Sequence, residues 1–358
     1  MLKTTTLSTL LLILCASDAR AQWVAQTSGT TVRLRGVSAV NGKVAWASGA
    51  NGTYARTTDG GRTWQAGQVP GAGELDFRDV DAFDADTAYL LSIGEGESSR
   101  IYKTTDGGRT WAMQFINKRP KAFFDAMAFW DEQRGVALSD PVDGRFLLIH
   151  TEDGGATWQE LPGDAMPAAR EGESAFAASG TCVTVAGRRH VWFGTGGPSG
   201  VRVFRSADGG RTWSAQHVPM IFGQAAGVFS LAFRDVRRGV IVGGNYTKEQ
   251  DARDNAAYTL DGGRKWNGET RAAPRGYRSA AAHVHGTRAT FVAVGPSGSD
   301  YSSDGGRTWA ALGDEGFHAV SFARTRRPVG WAVGEGGRVA KYVGAVPPLR
   351  RQPRRRRS

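Results

Sequence analysis

One eight-residue pattern, Ser/Thr-x-Asp-x-Gly-x-x-Trp, recurs six times and constrains the fold more than any other feature of this chain. It first runs from Thr57 to Trp64. It returns at Thr104 to Trp111, Thr151 to Trp158, Ser206 to Trp213, Thr259 to Trp266 and Ser302 to Trp309. Successive Trp residues stand 47, 47, 55, 53 and 43 positions apart. A period in the forties is that of propeller blades rather than of helical repeats. Glycine, 49 of 358 residues, would weaken helices throughout but suits short strands joined by turns.

The spacers between copies share one order. Phe77 to Phe83 reads as a first strand, Thr87 to Leu91 as a second and Arg100 to Lys103 as a third, before the next copy of the motif. Within the motif, Asp-Gly-Gly turns the chain, glycine supplying positive φ and the carboxylate accepting turn N–H groups. The Trp returns to bury its ring between sheets, with a partner expected for its N–H. Six copies of one residue set argue for a structural role for Asp59, Trp64, Asp106, Trp111, Asp153, Trp158, Asp208, Trp213, Asp261, Trp266, Asp304 and Trp309.

A seventh unit lacks the motif. Phe317 to Phe322, Gly330 to Gly334 and Arg338 to Tyr342 supply three of its strands. Gln22 to Gln26 resembles Thr63 to Gly67, and Trp23 precedes Trp64 by 41 positions. The expected fold is therefore all-β: a seven-bladed propeller of four-stranded blades over 22–346, its ring closed by the N-terminal strand. Closure removes exposed sheet edges.

Outside that body, residues 1–21 read as a signal peptide. Lys3 gives a positive start, Leu7 to Ala16 an apolar stretch and Ala19-Arg20-Ala21 a cleavage site. Export to the periplasm or the extracellular space is expected. Lipidation at Cys15 is the alternative, against which Leu12-Ile13-Leu14 lacks the usual small residue. Cys182 is then the lone mature cysteine, so no internal disulfide forms. The formal net charge is +11, and six arginines lie between 350 and 357, so more than half of it sits in a Pro/Arg-rich tail, 347–358, expected to be disordered. That tail suits weak contact with an anionic membrane, or plain solvation. No nucleic-acid platform is evident, and a monomer is expected.

The six motifs resemble the Asp-box, or bacterial neuraminidase, repeat of sialidases and of several non-enzymatic exported propellers. The blade pattern in Val320-Ser321-Phe322, Gly330-Trp331-Ala332-Val333-Gly334 and Gly337 is similar to the photosystem II stability and assembly factor propellers. That resemblance covers Gln22 to about Gly344 and implies a seven-bladed ring that binds other proteins without catalysis of its own. Long insertions in blades 3 to 5 depart from the pattern.

Two sets of residues are candidates for a site. Aligning first strands puts Arg35, Arg78, Arg278 and His318 in one column, with Phe124 and Phe229 in two other blades. Such a column makes a basic channel mouth suited to a protein client with an acidic surface, Arg145, Arg170 and Tyr246 lying in nearby loops; each arginine equally suits pairing with a neighbouring carboxylate. The alternative partner is a glycan. The loops 139–145, 167–173 and 243–254, expected on the face opposite the motifs, carry Asp140, Glu171, Glu173 and Asp251. Two such carboxyls could serve a glycoside hydrolase, sialidase-like or other, and they also suit local turns and ion pairs. The arginine motif that sialidases carry near the N-terminus is absent. Gly334 to Gly337 precedes no helix, and His283-x-His285 is an isolated pair, so neither a cofactor nor a metal is expected.

Overall fold

A computed structural model describes residues 22–268 and 272–344. The expected leader and the arginine-rich tail lie outside the described residues. The chain forms seven antiparallel four-stranded sheets, one of them extended by Gly196–Gly197. Two three-residue 3-10 turns, Gly96–Ser98 and Glu335–Gly337, are the helical segments among the described residues.

Blade 1 shows the plan. Leu34–Ala39, Ala45–Gly49, Thr53–Thr57 and Gln65–Gln68 pair in that order, each with the next. The first strand lines the channel and the fourth lies at the rim. Blades 2 to 6 repeat the plan, starting at Asp76, Phe124, Val183, Gly223 and Ala280. Blade 7 comprises Ala319–Phe322, Gly330–Val333 and Val339–Val343, with Gln22–Gln26 as its outermost strand. Trp23 lies opposite Tyr342 and Gln26 opposite Val339.

The core is divided into seven inter-blade layers. Trp46 and Val44 of blade 1 meet Phe77 and Leu90 of blade 2. Trp331 and Val333 of blade 7 meet Leu34 and Trp64 of blade 1. Five equivalent clusters fill the remaining junctions. The second strands pack on both faces, which explains their continuous apolar runs: Ala45–Gly49 and Phe291–Gly295 are buried throughout. An eighth cluster, Ala178, Phe229 and Tyr277 with Phe176 against it, belongs to no such junction.

All six Asp-Gly-Gly turns are built alike. In blade 1 the Thr57 hydroxyl donates to Asp59 and accepts from the Gly61 N–H. Asp59 also accepts the N–H and hydroxyl of Thr63, and these donors pull its carboxyl down to about 2. Gly60 and Gly61 have φ of 82° and 83°, a region that a Cβ disfavours. The Gly60 N–H reaches back to the carbonyl of Lys43, in the turn between the first two strands. The same bond joins Gly107 to Asp86, Gly154 to Gln133, Gly209 to Arg189, Gly262 to Arg237 and Gly305 to Ala289. Both turns of each of these six blades therefore share one face of the disc.

Two expectations need correction. The indole N–H finds a protein acceptor in Trp64, at Gln26, and in Trp213, at Gly210. Those of Trp111, Trp158, Trp266 and Trp309 meet none among the described residues, these rings being packed into the inter-blade clusters. The segment 139–145 is a hairpin rather than an open loop. Its strands extend through Val142 and from Arg145, around Asp143-Gly144 with φ of 51° and 77°.

Candidate functional site

The site lies at the channel mouth on the face away from the Asp-Gly-Gly turns. Register fixes this: Ala45 pairs with Thr57 at the turn end, whereas Leu34 pairs with Gly49 at the other.

At that second end the first strands bulge. Arg35, Arg78, Asp125 and Phe229 each lie where the pairing skips a residue: Leu34 and Gly36 face Gly49 and Ser48, and Phe77 and Asp79 face Ser92 and Leu91. The bulged residue leaves the ladder and points into the mouth. In blades 1, 5, 6 and 7 the preceding residue donates its N–H to the neighbouring blade: Leu34 to Gly334, Val228 to Thr195, Arg278 to Gly243 and Phe317 to Gly295. The equivalent positions are therefore Arg35, Arg78, Asp125, Phe229, Ser279 and His318.

That result corrects the aligned column at two places. Asp125, not Phe124, faces the mouth in blade 3. In blade 6 the residue is Ser279. Arg278 is fully buried one step earlier and forms an ion pair with Asp300, whose side chain is also fully buried. A bulge shifts which residue projects, and sequence alignment cannot register it.

These residues line a cavity of about 400 Å³, together with Asp140, Phe176, Tyr246, Glu249 and Tyr277. Its cationic side is Arg35 and Arg78. Arg78 donates to Asp76 at 2.9 Å and to the Ala177 carbonyl at 2.8 Å. Arg35 donates Nε to the Ala178 carbonyl at 3.0 Å, and among the described residues no carboxylate pairs with it. Burial, and then the neighbouring Arg78, lower Arg35 to about 10. At neutral pH it remains a charged, partly desolvated guanidinium.

The aromatic side is the eighth cluster. Phe176 stacks on Phe229 at 4.1 Å, and Tyr277 meets Phe229 edge-on at 4.7 Å. Tyr246, about half exposed, stands edge-on to both Phe176 and Phe229 at the lip.

The acidic side is Asp125 and Asp140. Asp125 is buried, and among the described residues its Oδ2 meets no donor. Burial, reinforced by Asp140, raises its carboxyl well above the usual range. Asp140 accepts the Ala175 N–H at 2.8 Å, and burial pushes it up to about 6. His318 contacts Glu335 at 2.7 Å. Burial and Arg35 hold it down to about 4, so it is neutral at physiological pH.

The remaining candidates lie outside the main cavity. Glu173 is buried against Arg202, also takes the Thr195 hydroxyl at 2.6 Å and the Arg170 N–H at 2.9 Å, and is spent on structure. Glu171, Glu173 and Arg170 line an adjacent hollow that shares Asp140. Asp251 is bound by Arg253 at 2.6 Å and lines neither space. Arg145 is exposed on the hairpin and donates to the Met166 carbonyl. Of the proposed carboxylates, Asp140, Glu171 and Glu173 thus border one adjacent hollow, Asp140 alone of them also lines the main cavity, and Asp251 stands apart. Sequence reasoning missed Asp125, whose signal was a lone carboxylate inside the apolar run Phe124–Phe129. Among the described residues no group of three or more His, Cys, Asp or Glu could hold a metal ion.

No family model matches the chain, and no curated protein sequence matches it. Solved structures do. The chain is similar to YCF48 bound to D1 peptide, at 18% identity and a TM-score of 0.63, over 90% of this chain and 97% of that one. YCF48 from Cyanidioschyzon merolae aligns at 16% identity and 0.63, over 90% and 98%. A GH74 xyloglucanase from Xanthomonas campestris aligns at 17% identity and 0.59, over 89% of this chain and 53% of the enzyme. At such identities the likeness shows the fold alone, a seven-bladed propeller.

Proposed function

We propose that this chain is an exported binding propeller that captures an acidic segment of a client protein at the channel mouth, as an assembly factor does. One observation carries the reading: Arg35 presents a partly desolvated guanidinium to the cavity, with no carboxylate partner among the described residues. A client carboxylate would gain charge-assisted bonds from Arg35 and Arg78 in surroundings drier than bulk water. Phe176, Phe229 and Tyr246 offer a flat apolar wall to the neighbouring side chain. The similar propeller bound to D1 peptide supports a peptide as ligand class. Export rests on residues 1–21 and is tested by sequencing the N-terminus of the secreted chain.

The test is a display library of random peptides panned against the chain. Enrichment of Asp, Glu or free C-termini beside aromatic residues is expected. Arg35→Ala combined with Arg78→Ala should weaken the selected peptides about tenfold or more, since a hydrogen bond to a charged group contributes roughly 1.5–3 kcal/mol. Unchanged affinity in that variant would refute the site. Asp125 and Asp140 support a second reading, because two carboxyls with raised pKa share the mouth. Hydrolysis of a chromogenic glycoside, sialosides included, that is lost in Asp140→Asn would establish that reading instead.

A further inference from the structure

The face that carries the Asp-Gly-Gly turns is charged unevenly. Over blades 4 to 7 its turns span 187–189, 207–213, 234–238, 260–266, 284–290, 303–309 and 323–329. They hold thirteen Arg and Lys against four Asp, a net of +9. The corresponding turns of blades 1 to 3, at 40–44, 58–64, 83–87, 105–111, 130–134 and 152–158, hold four Arg and Lys against eight Asp and Glu, a net of −4. One half of the rim is a basic crescent and the other is mildly acidic.

The crescent is not neutralised internally. Arg188, Arg189, Arg237, Arg288, Arg326 and Arg327 are exposed, and among the described residues their side chains make no hydrogen bond or ion pair. Most of the crescent's few carboxylates are occupied by their own turns: Asp208, Asp261 and Asp304 each accept a backbone N–H within the motif. In the middle of the crescent Leu260 is 43% exposed, where other copies of the motif place Thr, Ala, Glu or Ser. It borders a cavity of about 180 Å³ with Arg234, Arg238, Arg288 and Arg307.

The last described residues also lie at this face. Val339–Val343 runs in the same sense as Thr53–Thr57, toward the turns. Lys341 donates to the Gly60 carbonyl at 2.8 Å, which sets the end of that strand beside the first Asp-Gly-Gly turn. The sequence beyond Gly344 holds six arginines.

We propose that this crescent, with Leu260 at its centre, docks the propeller onto an anionic lipid bilayer. A broad face of unpaired guanidiniums matches a plane of lipid phosphates, and an exposed apolar side chain among them matches the headgroup boundary. Docking in this sense points the channel mouth away from the bilayer and leaves it open. The inference is independent of what the mouth binds.

The test is co-sedimentation of the full chain, expressed with its own leader, with phosphatidylcholine vesicles with and without phosphatidylglycerol. Binding is expected with phosphatidylglycerol alone, weakening as salt rises. Arg188→Glu, Arg237→Glu, Arg288→Glu and Arg326→Glu together should reduce it about tenfold or more. Lys43→Glu, Arg62→Glu and Arg109→Glu on the opposite half should leave it near the wild-type level. Leu260→Ser should weaken vesicle binding without changing retention on duplex DNA. All of these side chains are surface groups, and circular dichroism of each variant confirms the fold. The proposal is overturned if the wild type ignores phosphatidylglycerol or if the two charge variants lose equally. It is also overturned if binding survives the crescent variant and vanishes when the chain ends at 344, or if duplex DNA outcompetes the vesicles.

Discussion

Ring closure converges on a single side chain, Gln26. Its Oε1 accepts the indole N–H of Trp64 at 3.0 Å and that of Trp331 at 3.1 Å, while its Nε2 donates to the Gly60 carbonyl at 3.4 Å. The residues it joins belong to the first and last blades, and Trp331 is fully buried. Gln26→Leu keeps the bulk and removes all three bonds. Two indole donors then lose their acceptor, each costing about 1–3 kcal/mol, so the expected loss is about 2–4 kcal/mol after partial relaxation. Gln26→Glu retains an acceptor for both indoles and loses only the donor to Gly60, so it should lose less. Urea unfolding followed by circular dichroism reads both variants. Amide exchange should also accelerate along the pairing of Gln22–Gln26 with Val339–Val343, before the other blades respond. If Gln26→Leu unfolds within about 0.5 kcal/mol of wild type, the level of an ordinary surface change, the latch reasoning fails.

Two further outcomes are expected. Arg202 and Glu173 are paired with side chains 8% and 1% exposed. Removing either partner should cost about 3–5 kcal/mol, whereas Arg202→Met with Glu173→Leu should recover most of it in a thermal double-mutant cycle. Burial raises Asp81 from the ordinary 3.8 to about 6. The folded state then holds its proton more tightly than the unfolded chain, so stability falls as pH rises from about 4 to about 6 and levels off above. Asp81→Asn keeps an acceptor for the Phe129 N–H and should melt higher than wild type at neutral pH, with the difference closing near pH 4; a lower neutral melting temperature would count against burial as the cause.

The architecture was legible because each Asp-Gly-Gly turn requires positive φ at consecutive glycines, and few local structures other than a tight strand connection tolerate that. The Trp spacing then counted the blades, and the likeness of Gln22–Gln26 to a fourth strand predicted the closure that the structure shows. The site was legible only in part. Arg35, Arg78, His318, Tyr246 and Asp140 do meet in one cavity. Arg278 and Phe124 were misplaced by one position each, because side chains alternate along a strand and a bulge resets the alternation. Glu173 read as a loop carboxylate suited either to a site or to an ion pair. Its partner Arg202 lies 29 residues onward, and nothing local marks the pair.

The closing strand also dictates an order of events in time. Trp23 bonds Ser299 across 276 positions, and Gln26 bonds Trp331 across 305. A chain made from its N-terminus holds its first strand idle until almost the last blade exists. Through that interval blades 1 and 7 each lack a neighbour, and two sheet flanks stand open to stray pairing. Slow maturation and a need for dilute or chaperoned conditions follow, since loop closure over such a span delays the final contacts. Once made, the same contacts turn the chain from a row of repeats into a hoop, in which no blade can leave without breaking two interfaces.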